Sequence, residues 1–198
     1  MGVAGVLLAA GNGSRLGQPK ATVALGGRTL AERGVGMLRG GGAGPVIVVT
    51  GAVPVEIPGV LTVHNVDWST GLGSSLVTGL RALASADTGA AVIALADQPL
   101  VGAEAVRRLI AAHGSGATVA VAGYHGKPRN PVLIARVHWA AVIELATGDT
   151  GARPFLRARS DLVTLVECGD TGSPDDVDTP EDLARVRAVS RARSRESS

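Results

Sequence analysis

An apolar run, Val3 to Leu8, passes without a break into Ala9-Ala10-Gly11-Asn12-Gly13-Ser14-Arg15-Leu16-Gly17-Gln18-Pro19-Lys20, a glycine-punctuated turn carrying two cations. This segment is suited to polyphosphate. The small residues Ala10, Gly11 and Gly13 let the backbone come close to a ligand, and successive amides form an anion-binding concavity. Arg15 can grip phosphate oxygens bidentately, while Lys20 supplies a movable point charge. The spacing Gly11-x-Gly13-x-x-x-Gly17 is not the dinucleotide pattern, and residues 36 to 51 contain no acid for a ribose. Gly17-Gln18-Pro19-Lys20 also breaks a P-loop. A plain strand-to-helix turn with two solvated cations is the competing reading.

Further β-prone runs follow at Pro45 to Thr50, Val60 to Val63, Ala90 to Ala96, Ala117 to Ala122 and Leu162 to Val166. Between most of them, apolar residues recur at helical spacing, as in Leu72, Leu76, Leu80 and Leu83, or Val106, Leu109 and Ile110. Strands alternating with helices predict a three-layer α/β sandwich around a mainly parallel, mixed central sheet. Ligands of such sheets bind beyond the carboxyl ends of the strands, where Gly11, Asn65 and Asp97 all fall. Gly40 to Pro45 is expected to end one helix and reset the chain for the next strand. Residues 1–188 read as one domain and 189–198 as a basic, disordered tail.

Composition narrows the partners. The chain has two Trp, one Tyr and one Phe, too few to stack the bases of a single strand, so nucleic acid is not expected. The net charge is only +2, and much of the arginine (Arg185, Arg187, Arg191, Arg193, Arg195) lies near the end, where a solvated helix terminus accounts for it. Cys168 is the single cysteine, which excludes an intrachain disulfide and fits a reducing cytoplasm. The four histidines lack metal-ligand spacing, so zinc is not expected. No segment is long and apolar enough to span a membrane, and Val3 to Ala10 lacks the basic flank of a signal peptide.

Asp97 closes a buried strand, and Gln98-Pro99 turns the chain away, leaving the carboxylate at the sheet edge. It can ligate magnesium there or cap a helix near Gly102. Thr179-Pro180-Glu181-Asp182 combines a capping residue, a proline for the first helical position and an acid three residues after the threonine. That cap would hold Asp178 just outside the helix.

Leu8-Ala9-Ala10-Gly11 with Arg15-Leu16-Gly17 and Lys20 resembles the signature of GT-A-like nucleotidyltransferases, and within them the molybdopterin nucleotidyltransferases, notably the molybdenum cofactor cytidylyltransferases. Four later blocks agree in order: Asn65-Val66-Asp67-Trp68 with Gly71 and Ser74-Ser75-Leu76; Ala96-Asp97-Gln98-Pro99; Gly148 to Arg153; and Asp176 to Asp182. The resemblance implies transfer of a nucleotidyl group from a triphosphate to a phosphorylated acceptor, with release of pyrophosphate. It implies nucleotide contacts from Leu8, Ala9, Ala10, Gly11, Gly13 and Asp97, and base or ribose contacts from Asn65, Gly71 and Ser75. Arg15 and Lys20 would be the catalytic cations, and Asp97 and Asp178 the Mg2+ ligands, with Asp176 as an alternative. The acceptor, molybdopterin by resemblance, would meet Tyr124 to Pro131, a turn stiffened by Pro128 and Pro131, through Arg129 and Asn130, and also Asp149 and Arg153. Arg129 departs from the family pattern at its position and either adds a phosphate contact or narrows the pocket.

In the resembling group Leu-Ala-Ala-Gly goes with cytidine and Leu-Ala-Gly-Gly with guanosine, so Ala10 points to CTP over GTP. A sugar phosphate or polyol phosphate acceptor remains open, as does a non-catalytic carrier of the molybdenum cofactor on the same fold. A molybdoenzyme is the recipient that the resemblance implies.

Overall fold

The computed structural model describes residues 2–196. Its centre is a seven-stranded sheet. The strands are β1 (Gly2–Leu8), β4 (Val46–Thr50), β5 (Leu61–His64), β6 (Thr88–Leu95), β7 (Val119–Tyr124), β8 (Lys127–Ala135) and β9 (Val163–Glu167), in the order β5-β4-β1-β6-β8-β7-β9. A small separate hairpin joins β2 (Ala24–Leu25) to β3 (Arg28–Thr29). Every neighbouring pair in the large sheet is parallel except the two that involve β8. This is the expected mainly parallel, mixed sheet.

Helices cover both faces: α1 (Leu30–Gly40), α2 (Leu72–Ala82), α3 (Ala103–Gly114), α4 (Trp139–Leu145), α5 (Arg153–Ala158) and α6 (Pro180–Glu196). The alternation of side chains along each strand divides the core. Val3, Leu7, Val48 and Val92 pack with Val35 and Leu38 of α1 and Leu109 of α3. Val6, Ile47, Val49 and Ile93 pack with Leu76 and Leu80 of α2, Val142 of α4 and Phe155 of α5 on the other side. Strands covered on both faces must be apolar throughout, which is why they read as continuous runs.

Two expectations change. Residues 127–131, expected as a stiff turn, belong to β8. Pro131 is tolerated because the β7–β8 register is irregular there: Val121 pairs with Val132 but Ala122 with Arg129, so Asn130 and Pro131 fall in the extra length of one strand; Pro128 pairs with Gly123 where β8 has run past its pairing with β6. The second concerns the end of the chain. The backbone expected to be disordered from residue 189 stays helical to Glu196, since the alanines and arginines there favour helix and neither Gly nor Pro interrupts them. Residues 197–198 and the side chains of Arg193 and Arg195 lie outside the described residues. No helix among the described residues is long and apolar enough to cross a membrane.

Candidate active site

The site begins where the first strand stops. Past Leu8, the Ala9 N–H donates to the Val49 carbonyl at 2.9 Å, the Ala96 N–H to the Leu8 carbonyl at 3.0 Å and the Ala52 N–H to the Ala10 carbonyl at 3.0 Å. Three strand ends are thereby stitched together under the glycine turn. Gly13 adopts φ +62°, and its carbonyl accepts from the amides of both Leu16 and Gly17 at 2.9 Å. A Cβ at Gly13 would lie 2.0 Å from the Gln18 carbonyl oxygen, so the tight loop requires glycine there.

A third apolar cluster brings the distant acids to this loop. Leu16, Val23 and Leu25 are buried with Leu100, Val177 and Leu183, so Arg15 and Lys20 are carried on the same packed unit as Asp178. Backbone pairing completes the approach, with the Val177 N–H donating to the Asp97 carbonyl at 2.8 Å. The cap expected at 179–182 is present. The Asp182 N–H donates to Thr179 Oγ1 at 3.2 Å, and Asp182 Oδ2 accepts from the Thr179 and Asp178 amides at 3.0 and 3.2 Å. Asp182 therefore holds the backbone that presents Asp178.

Lys20 is the centre of the charge arrangement. Its Nζ donates to Asp97 Oδ2 at 2.7 Å and to Asp178 Oδ1, while Arg15 Nη2 reaches Asp178 Oδ2 at 2.8 Å. The Lys20, Asp97 and Asp178 side chains are 19%, 22% and 27% exposed, against 70% for Arg15, so the inner three groups are largely dry and the outer one stands in solvent. Burial is the largest single influence on the Lys20 ammonium and works to lower its pKa, but the two carboxylates together outweigh it and leave it raised. The hydrogen bond from Lys20 holds the Asp178 carboxyl below the usual range. Asp176 goes the other way: lost hydration, then the neighbouring charge of Asp97, push it up, although Gln98 Nε2 donates to its Oδ1 at 2.9 Å. Asp97 does not cap the helix near Gly102, because α3 begins without a side-chain cap.

These groups open onto a cleft of about 620 Å³. Leu8, Ala9, Ala10 and Gly11 line one wall, and Gly71 and Ser75 another. Of the residues expected to touch nucleotide, Gly13 and Asn65 do not line it. Gly13 shapes the loop from behind. Asn65 is buried, its Nδ2 donating to Ser74 Oγ at 2.9 Å and Ser75 Oγ at 3.0 Å and its Oδ1 accepting from the Asp67 amide, so it positions Ser75. Trp68, Asn12 and Asp176 join the lining without having been singled out as primary site residues, although Trp68 and Asp176 stand inside motif blocks.

A second cleft of about 690 Å³ adjoins the first, the two sharing Leu95, Arg153 and Asp176. Arg129 and Asn130 line it. Asp149, expected with them, lines the first cleft instead. The reason is local: the turn at 148–150 packs on the start of α2, where Gly71 has φ +117° and a Cβ would lie 2.4 Å from the Gly148 carbonyl carbon and 2.7 Å from Asp149 Oδ1. Among the described residues no group of three or more His, Cys, Asp or Glu side chains is arranged to hold a metal ion. A magnesium site needs only one or two protein carboxylates.

Known proteins are similar to this chain in sequence and fold. A model of the MobA-like NTP transferase domain matches residues 5–163. A relative from Paenarthrobacter nicotinovorans, named nicotine blue oxidoreductase, is 37% identical over 93% of this chain and 96% of its own. The crystal structure of a homologue of Mycobacterium tuberculosis Rv0371c, from Mycobacterium sp. strain JC1, superposes with a TM-score of 0.83 at 34% identity, covering 96% of this chain and 97% of the other. The M. tuberculosis H37Rv protein Rv0371c, solved as a complex with manganese, gives 0.76 at 25% identity over 95% and 99%. With the glycine turn, the acids that answer it and this match along most of its length, the chain belongs to the family of MobA-like NTP transferase domains and, with it, to the nucleotidyltransferases.

Proposed function

We propose that the enzyme transfers CMP from CTP to the phosphate of an acceptor, molybdopterin, with Mg2+ as cofactor and pyrophosphate as the second product. The observation that carries this reading is the single ammonium of Lys20 held between Asp97 and Asp178 at the mouth of one cleft. An attacking phosphate is already an anion and needs no strong base, so catalysis consists of positioning and charge neutralisation. Lys20 stabilises the α-phosphate as its charge rises, and Arg15, exposed beside it, holds the β and γ oxygens. Asp97 and Asp178 fit a hard divalent cation: both are carboxylates, both face the cleft, and they already share one positive charge. Bound there, magnesium would neutralise the triphosphate and polarise it for displacement.

Ala10 supports CTP over GTP. It lines the cleft, so its methyl group takes up room that a larger base would need. A difference of this size is worth about 1–3 kcal/mol. Asp149 faces the donor on this reading, while Arg129, Asn130 and Arg153 meet the acceptor.

The test is pyrophosphate release with magnesium, each triphosphate in turn, and either molybdopterin or a panel of sugar and polyol phosphates. CTP with molybdopterin is the expected productive pair. Comparable turnover of CTP and GTP would defeat the base preference, and turnover only with a sugar phosphate would reassign the acceptor. Binding of molybdopterin without pyrophosphate release would favour a carrier. The name of the 37% identical relative, nicotine blue oxidoreductase, favours one further reading, an oxidoreductase. Oxidation or reduction of nicotine blue without pyrophosphate release would establish that reading in place of transfer.

A further inference from the structure

The acidic pair of the first cleft already holds a cation of the chain's own. Lys20 Nζ donates to Asp97 Oδ2 at 2.7 Å and to Asp178 Oδ1, and Arg15 Nη2 donates to Asp178 Oδ2 at 2.8 Å, so both oxygens of Asp178 and one of Asp97 are engaged. A divalent ion bridging these two carboxylates needs an oxygen from each. It would compete for oxygens that Lys20 holds, and it would meet the repulsion of the ammonium at close range, among side chains largely shielded from water. Little draws a bare ion there. Two carboxylates are few ligands for a hard dication, and the four acids that line the cleft face three cations, Arg15, Lys20 and Arg153, so most of the negative charge is already answered.

A polyphosphate changes both sides of that balance. It offers further oxygens to a dication and a new partner to Lys20. The stem of Lys20 crosses the glycine turn, where a Cβ at Gly13 would lie 3.2 Å from Lys20 Cγ. From there a flexible four-carbon chain lets the ammonium leave the carboxylates for an anion seated over the turn. We infer that Lys20 is the resident cation of the Asp97–Asp178 pair, that it competes with a divalent ion for those carboxylates, and that the pair binds a divalent ion tightly only together with a nucleoside triphosphate, to which the ammonium moves. The pairing with a triphosphate rests on the transferase reading; the competition between Lys20 and a divalent ion does not.

The probe is Mn2+ titrated into the full chain, first alone and then with CTP, with bound metal read from electron paramagnetic resonance and water-proton relaxation. Without nucleotide, Lys20→Met, which keeps the length of the side chain and removes its charge, should bind Mn2+ at least about tenfold more tightly than wild type. Lys20→Gln is the second neutral variant should Lys20→Met fail to fold, and a melting transition close to that of wild type shows which of them is folded. Lys20→Arg keeps a cation on the pair and should bind Mn2+ as weakly as wild type. Adding Asp97→Asn to Lys20→Met should abolish the gain, which places the ion on the acidic pair. With CTP, wild type should hold Mn2+ at least about tenfold more tightly than without it, and its gap to Lys20→Met should narrow. Equal Mn2+ affinity of wild type and the neutral variants, a gain that survives Asp97→Asn, or an equal gain in Lys20→Arg would each overturn the competition. Mn2+ held by wild type as tightly without CTP as with it would overturn the joint binding. A gain in Lys20→Met with no response of either protein to any triphosphate would instead remove the transferase reading and leave the competition standing.

Discussion

The two clefts sit side by side on one sheet and treat charge in opposite ways. Above the parallel half, β5-β4-β1-β6, the inner charges answer one another: Lys20 lies between Asp97 and Asp178, and Arg15 leans on Asp178. Above the half that contains the reversed strand, β8-β7-β9, Arg129, Arg153 and Arg157 face an opening with no acid committed to them. A site whose task is to neutralise a growing charge keeps its cations positioned before substrate arrives, and here carboxylates do the holding. A site whose task is to recognise an anion can leave its cations waiting. The difference is testable, because substitutions on the donor side should act on the rate and those on the acceptor side on affinity.

The largest effect is expected at Asp97. Asp97→Asn keeps the shape and leaves Lys20 its bond to Asp178, yet it removes a charge from the proposed magnesium pair. Pyrophosphate release should fall to background while the thermal melt stays close to that of wild type. An active Asp97→Asn enzyme would contradict the metal assignment. Lys20→Ala comes next: turnover should drop about 10²–10³-fold, by analogy with loss of one transition-state donor, with a smaller change in CTP affinity. If kcat is unchanged and only KM rises, Lys20 is a binding residue and the proposed division of labour between the clefts fails.

How far these contrasts were legible in the sequence follows the same division. The parallel half announces itself, because strands covered on both faces are written as apolar runs and their carboxyl ends carry the polar blocks. The ion cluster around Lys20 was legible as motif residues, although only the shared burial of Leu16 and Val177 explains how residues 158 positions apart meet. The other half resists reading. β8 carries Pro128 and Pro131, which locally mean turn, and its pairing depends on an irregular register that no periodicity reveals. Asn65 looks like a ligand from its block, yet it is a buried clamp on Ser75, a distinction that needs burial and bond partners. Arg157 belongs to no block, and its place at the second cleft depends on the phase of the six-residue helix that carries it.

A substitution at the seam between the halves sharpens the comparison further. Gly71→Ala would force a Cβ to within 2.4 Å of the Gly148 carbonyl carbon at a backbone φ of +117°. The cost should be about 1–3 kcal/mol, read as a lowered midpoint in urea denaturation. The turn at 148–150 would shift with it, moving Asp149 in the first cleft and Arg153, which lines both. An unchanged midpoint would mean that this seam yields freely, and then Asp149 is not held on the donor side by packing.

The smallest expected effect belongs to the half built on β8, β7 and β9. Glu167, at the end of β9, accepts hydrogen bonds from the backbone amides of Gly169 at 2.9 Å, His125 at 3.1 Å and Gly126 at 3.2 Å, pinning the β7–β8 turn to the sheet edge. The amides of Gly126 and Gly169, followed by that of His125, hold its carboxyl below the usual glutamate range. A carboxyl depressed in the folded state adds stability that is fully present above the unfolded value, about pH 4.3, and is lost as pH falls through the folded one. Glu167→Gln leaves one oxygen for the amides of His125 and Gly169 but sets an NH2 group against the amide of Gly126, so its melting temperature should lie slightly below that of wild type at pH 7. The gap should narrow as both proteins are taken below about pH 4, where wild type loses the same charge. Asp178, depressed by Lys20 rather than by backbone amides, should show the same acid-side loss for Asp178→Asn, but there the change in turnover should far exceed the change in stability. A gap for Glu167→Gln that persists unchanged to low pH would mean that shape, not charge, pins the turn, and the two halves would then differ less in their electrostatics than their clefts suggest.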